Sequence, residues 1–371
     1  MSIARQYDVI VVGARCAGSP TAMLLARKGY RVLLVDRATF PSDTFRNHFI
    51  QLQGLSKLKK WGLLDRLLAT DCPPIRQFTM DLGDFPLATP ISPIDGIDMN
   101  LAPRRYVLDS ILVEAVATAD VEVRDGFSVQ EILFEGDQVV GIRGRTPQGL
   151  DTPERARLVV GADGLHSTVA KAVNAPVYNA HPALTCAYYS YFAGITLDGV
   201  GVAILPDRFL IAFPTNNGLV CAATQVPLNQ FQAFRDDVEG SFFRSFAAAP
   251  WLAESVAAGT RVERWSGTAD LPNLFRKPFG NGWALVGDAG YHKDPLTAQG
   301  ITDAFCDAEL LSNAIDDGFA GRGAMSDAMA NYERQRNAAV SSSYPEAVAR
   351  ASFEPFPAEL FAQRAQFSPV A

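Results

Sequence analysis

Apolar positions along the chain fall into unbroken runs, helical spacings and one alternating block, and their order predicts an α/β architecture. Val9, Ile10, Val11 and Val12 form a run without polar alternation, the pattern of a strand buried on both faces. Gly13 closes it, helical spacing follows from about Ala17 to Lys28, and a second apolar strand, Arg31 to Val35, ends on Asp36. The unit reads as strand, glycine turn, helix, strand and acid, the layout of a dinucleotide-binding βαβ. Gly13 permits the tight turn and Gly18 lets helix and strand pack closely. The helix N-terminus offers N–H groups and a positive dipole end to a pyrophosphate. Asp36 can accept hydrogen bonds from ribose hydroxyls. The middle glycine position holds Arg15, so the competing reading is a crossover whose glycines serve packing alone. This stretch leaves FAD and NAD both open.

Further along, Gln53 to Leu68 has helical spacing, preceded by Arg46, Asn47 and His48. His48 reads either as a hydrogen-bonded structural histidine or as a group bordering a reaction cavity. Cys72 to Ala102 carries short strand-like pieces and no helix, an excursion toward a ligand pocket. Arg104 to Asp120 is an amphipathic helix with Arg104 and Arg105 at its start. Cations there oppose the helix dipole, so an anionic partner explains them better than helix stability does. Strands are predicted at Val121–Arg124, Ser128–Glu135, Val139–Arg145 and Ala156–Gly161, with Ser167 capping the next helix.

Pro182 to Pro227 is the alternating, aromatic block. It predicts a strand over Ala183–Ile195 and then a hairpin over Arg208–Pro227 that turns at Asn216-Asn217-Gly218. Tyr189 and Tyr191 share one face, and Tyr188 and Phe192 the other. One face should pack on helices, supplied by Phe231 to Gly259, while the other roofs a cavity. Tyr189, Tyr191 and Phe213 are the candidate substrate contacts, against the plainer reading of an aromatic core. From Trp283 a strand runs to Gly287-Asp288. A loop with Pro295 leads to Gly300-Ile301 and a long helix to about Asp316. A last helix spans Ser326 to about Arg350, and a Phe-rich tail packs over the body.

Composition narrows the class. The chain has 371 residues, 48% hydrophobic and 20% charged, and a net charge of −7, which opposes nucleic-acid binding. Five scattered cysteines without a C-x-x-C pair give neither a disulfide framework nor a zinc site, so no metal is expected. The expectation is a cytoplasmic protein with no membrane span.

Gly13 to Gly18, Asp163-Gly164 and Gly287-Asp288 repeat one signature at three strand ends. Their order and spacing resemble the FAD-dependent (class A) flavoprotein monooxygenase family of the para-hydroxybenzoate hydroxylase fold, over roughly residues 5 to 340. The resemblance implies a Rossmann-like FAD-binding domain with an interleaved β-sheet substrate domain and C-terminal helices. The expected division is 1–71, 103–177 and 270–325 for FAD, 72–102 and 178–269 for substrate, and 326–371 for the C-terminal helix and tail. It also implies FAD contacts at Gly13, Ala17, Gly18, Asp36, Arg37, Arg46, Arg105, Asp163, Asp288, Pro295, Gly300 and Ile301. Asp288 would take ribityl-side hydroxyls, and Gly300-Ile301 would donate to the flavin O2/N1 edge. The implied activity uses NAD(P)H as transient reductant and O2 to oxygenate an apolar, aromatic small molecule, with His48 as the candidate base. Departures are Gly290-Tyr291 where the family often has Ala-His, and Ala298 in a glycine place. The Pro295-Leu296-Thr297 loop is also similar to prenyl (geranylgeranyl) reductases, the first alternative. A non-catalytic prenyl-protein escort on the same scaffold is the second. The missing W-x-W-x-I-P motif speaks against a halogenase. Oligomeric state is left open.

Overall fold

The computed structural model describes residues 7–43 and 48–367. The predicted buried run forms the strand Tyr7–Val12, with Val9, Ile10 and Val11 fully inaccessible. It sits between Val32–Val35 and Asp151–Gly161, both parallel to it, with Val9 opposite Val32 and Leu158. Trp283–Leu285 and Glu122–Arg124 extend this parallel sheet on either side. Val9 and Val11 point into a core shared with the helices Gly18–Ala26, Leu52–Trp61, Arg105–Ala117 and Gly300–Phe319. Ile10 and Val12 point the other way, onto Phe127, Ile132 and Ile142 beside the antiparallel pair Ser128–Glu135 and Gln138–Arg145. Coverage on both faces is why this strand shows no alternation.

The alternating block builds a second sheet. Its strands run in the order Thr260–Arg261, Thr185–Ala193, Leu219–Pro227, Arg208–Thr215, Val200–Leu205, Gln77–Asp81 and Leu87–Pro90. The excursion at 72–102 therefore supplies two strands at its edge, with Phe78 opposite Val200. Tyr188 and Phe192 pack against Phe234, Phe242 and Phe246 on the covering helices, and the Tyr188 and Phe234 rings stack at 4.4 Å. Tyr191, Ile211 and Phe213 occupy the opposite face. The Asn216–Gly218 turn closes the hairpin with Asn217 and Gly218 at φ 64° and 63°. Ser167 caps its helix, its hydroxyl accepting the Ala170 N–H at 3.0 Å.

Helix lengths differ from the periodicity. The 53–68 pattern divides at Gly62, left-handed at φ 79°, into Leu52–Trp61 and Leu64–Leu68. Phe231 to Gly259 becomes three helices, cut by the Asp237 cap and by Pro250 at a helix start. The last helix divides into Met325–Ala339 and Ser343–Ala351. In each case the apolar stripe continues across a break that periodicity does not register. The strand Val200–Leu205 was not anticipated, being an unalternating run between the Gly199 turn and the Pro206-Asp207 turn. Among the described residues, no helix is long and apolar enough to cross a membrane.

Candidate FAD and substrate site

The three glycine turns lie at the C-terminal ends of three adjacent parallel strands, so sheet order brings together what the sequence spreads over 270 positions or so. They interlock at backbone distance. A Cβ on Gly18 would lie 1.7 Å from the Gly13 carbonyl oxygen, and one on Gly13 would lie 2.5 Å from that of Ala162. A Cβ on Gly287 would come within 2.8 Å of the Ala17 Cβ. The helix Gly18–Ala26 begins at Ala17 without a side-chain cap; the Ser19 N–H donates to the Arg15 carbonyl at 3.0 Å and Pro20 has none, so the Ala17 and Gly18 N–H groups are those it can offer a ligand. Asp163 accepts the Thr168 N–H at 2.6 Å through Oδ2, while its buried Oδ1 has no partner among the described residues. Burial holds its carboxyl above the usual range. Asp36 accepts the Ala14 N–H at 2.7 Å and the Ala38 N–H at 2.8 Å, so part of its capacity orders the first turn. Each carboxylate oxygen keeps a further lone pair. Arg37 beside it is exposed, and Arg46 lies outside the described residues.

Both helix-start arginines meet anions, and these are carboxylates of the chain itself. Arg105 forks onto Asp109 one turn along, at 3.0 to 3.2 Å. Arg15, in the glycine place, turns aside to the same fully buried carboxylate at 2.6 Å and to Ser42 Oγ at 2.9 Å. Its side chain is thereby drawn toward the helix Arg105–Ala117. Arg104 pairs with Asp43 and Glu263 at 2.7 Å each and lies 3.8 Å above the Tyr191 ring.

Past Gly287, the loop is fastened to the second sheet. Asp294 is fully buried and accepts hydrogen bonds from Thr185 Oγ1 and Gln225 Nε2, both at 2.6 Å. It also caps the Pro295–Thr297 turn through the Leu296 N–H. Burial raises its carboxyl's pKa. Sequence reasoning passed over Asp294; its only signal is an acid directly before Pro295. The helix Gly300–Phe319 starts without a side-chain cap, and a Cβ on Gly300 would meet nothing within 4 Å. Asp288, Gly300, Tyr291, Lys293 and Asp303 line a small cavity there. Lys293 is buried and pairs with Asp303 at 2.9 Å. Deeper on the same helix, burial pushes Asp307 up to about 7, opposed by Arg336.

His48, Tyr191 and Phe213 come together on the inner sheet face. The His48 ring is 5.7 Å from Tyr191, stacked, and 5.2 Å from Phe213, edge-on. Tyr189 is partly buried and meets Tyr191 edge-on at 5.8 Å. Leu296 joins the same apolar cluster, with Ala298 packed against it. The wall of aromatic rings thus abuts the loop that runs from Asp288 to Gly300.

Interlocked glycines, two uncapped helix starts on one rim and an orphaned carboxylate oxygen at Asp163 are features that fit a dinucleotide. The comparisons agree. The FAD binding domain family matches residues 6–344. The chain belongs to this family, has the fold of the class A flavoprotein monooxygenases, and is a flavin-dependent oxidoreductase whose cofactor is FAD. A digeranylgeranylglycerophospholipid reductase of Methanosarcina mazei is 29% identical over 322 residues, 83% of this chain and 75% of the reductase. The mitochondrial squalene epoxidase 2 of Arabidopsis thaliana is 24% identical over 325 residues, 83% of this chain and 54% of the epoxidase. The myxobacterial chondrochloren halogenase, described as a new variant of FAD-dependent halogenases, superposes with a TM-score of 0.87 at 25% identity, covering 97% of this chain and 89% of the halogenase. PqsL of Pseudomonas aeruginosa, solved with 2-aminobenzoylacetate, shares the fold with a TM-score of 0.81 at 21% identity, over 93% and 96% of the two chains.

Proposed function

We propose that the protein is an FAD-dependent monooxygenase that uses NAD(P)H and O2 to oxygenate an apolar, aromatic small molecule. The observation that carries this reading is the contact between the Pro295–Thr297 turn and the aromatic wall of His48, Tyr191 and Phe213. Bound FAD supplies two-electron redox chemistry and the reaction with O2. The chain's share is to bind, orient and keep water out. In this reading Gly13, Ala17 and Gly18 bring the first helix end to the pyrophosphate, and Asp36 and Arg37 face the adenosine. Arg105, held by Asp109, and Asp163 serve the phosphate region, and Asp288 accepts from ribityl hydroxyls. Pro295 lies beside the ring system, while Gly300 and Ile301 offer N–H groups where negative charge develops on reduction.

Asp288→Ala removes charge-assisted hydrogen bonds of about 1.5 to 3 kcal/mol and should weaken FAD binding by roughly tenfold to a hundredfold. Titration of the apoprotein with FAD measures it; an unchanged affinity contradicts the assignment. His48 is proposed to take the proton of a phenolic substrate, a task worth about 10²- to 10⁴-fold. His48→Ala is then expected to keep its FAD, lose product by that factor and release hydrogen peroxide instead. Unchanged coupling of NAD(P)H consumption to product would leave His48 a structural residue.

The second reading is an ene reductase acting on a prenyl chain, favoured by the 29% identity to the archaeal reductase and by the Pro295-Leu296-Thr297 loop. Reducing the holoprotein anaerobically and supplying phenols or a geranylgeranyl substrate, then admitting O2, separates the two. Double-bond saturation without O2 supports the reductase; oxygenated product only after O2 supports the monooxygenase. The halogenase neighbour belongs to a variant class, which weakens the missing-motif argument. A chloride and bromide arm therefore belongs in the same experiment.

A further inference from the structure

We infer that the C-terminal segment is a strap closing the aromatic site, with Phe353 as a specificity-determining part of its wall. The inference rests on the aromatic-site reading above. The helix Ser343–Ala351 packs on the Pro295–Thr297 turn, and Ala351 is buried in the same cluster as Leu296, Tyr191 and Phe213. Phe353 packs against that cluster as well. It does so from a left-handed backbone at φ 54°, at the helix end where the Glu354 N–H reaches the Ala349 carbonyl. Glycine would take that position at no steric cost, and a bulky residue there is uncommon. The strained ring is therefore kept for what its side chain touches.

Beyond Pro355 and Pro357 the chain crosses to the far edge of the second sheet and is fastened there. Arg364 is 8% exposed and donates to Asp84 Oδ2 and Oδ1 at 2.8 and 2.9 Å, to the Met80 carbonyl at 3.0 Å and to the Phe85 carbonyl at 2.6 Å. These acceptors sit in and beside the Gln77–Asp81 and Leu87–Pro90 hairpin, whose Phe78 borders the aromatic cluster. The segment thus runs from the loop at Pro295 to the sheet edge, anchored at both ends. Arg364 holds the Asp84 carboxyl down at about 2, so the latch stays charged throughout the neutral range. A bidentate arginine clamp of this kind is not reproduced by lysine.

The test uses the full-length, FAD-loaded protein and compares wild type with Phe353→Gly and Arg364→Lys. Acrylamide quenching of bound-flavin emission reads access to the site without a substrate. Titration with 1-naphthol and the larger 9-phenanthrol, followed by flavin absorbance, reads size preference. Phe353→Gly relieves backbone strain but removes the ring's packing, so a purely structural role predicts a lower Tm with unaltered quenching. The strap instead predicts quenching raised about threefold or more, and the naphthol-to-phenanthrol affinity ratio shifted about tenfold toward the larger ring. Arg364→Lys should raise quenching and speed amide exchange across 352–365 about tenfold, leaving exchange in 18–26 unchanged. Wild-type quenching in both variants overturns the strap. Raised quenching in a protein whose flavin responds to neither phenol supports the strap and counts against the aromatic-substrate reading instead.

Discussion

A Gly18→Ala chain is expected to purify without FAD. The new Cβ would lie 1.7 Å from the Gly13 carbonyl oxygen and 3.1 Å from the Ala162 Cβ, and the nearer group is rigid backbone. The helix Gly18–Ala26 must then back away from the strand Tyr7–Val12, taking its N–H groups with it. Overpacking in a tight core costs about 1 to 3 kcal/mol. The displaced amides add to that on the ligand side, for a loss in FAD affinity of about a hundredfold or more. Flavin absorbance per chain after gel filtration measures it. Stoichiometric FAD in the variant would show that helix and strand pack less closely than these distances state.

Asp109→Ala should be the most destabilising single change that touches no ligand. Its carboxylate is fully buried and is the shared partner of Arg105, itself 6% exposed, and of Arg15. Removing it strands the Arg105 guanidinium in the interior, a loss of about 3 to 5 kcal/mol. Thermal unfolding of the FAD-free protein measures this directly. Added FAD should recover part of the loss, because in the proposed arrangement phosphate lies near Arg105. A Tm within a degree of wild type would mean that another group carries the charge.

The helix-start arginines show how far local sequence reaches. Dipole reasoning predicted an anion for Arg104 and Arg105, and that held because the sign of a helix end is a local property. The anions' identities were only partly local: Asp109 lies one helical turn from Arg105, but Asp43 and Glu263 lie 61 residues before and 159 residues after Arg104. Asp36 is similar. The strand end put an acid beside the first turn, while its hydrogen bonds to Ala14 and Ala38 depend on how the turn folds back.

What the sequence by itself determined is whatever follows from periodicity and backbone sterics. The Tyr7–Val12 strand is unalternating because both its faces are covered, and Tyr188 and Phe192 oppose Tyr189 and Tyr191 because side chains alternate along a strand. Gly13, Gly18 and Gly287 stand where no Cβ fits. Helix breaks at Gly62, Asp237 and Val340 were missed because an amphipathic stripe runs on across a short kink. Only tertiary structure decided that Asp294 ties the Pro295 loop to Thr185 and Gln225, that His48 stacks on Tyr191, and that Arg364 closes on Asp84 from 280 residues away. Those contacts join segments whose separation in the chain says nothing of their distance in space, and burial then fixes them, since a polar group taken from water must find a partner.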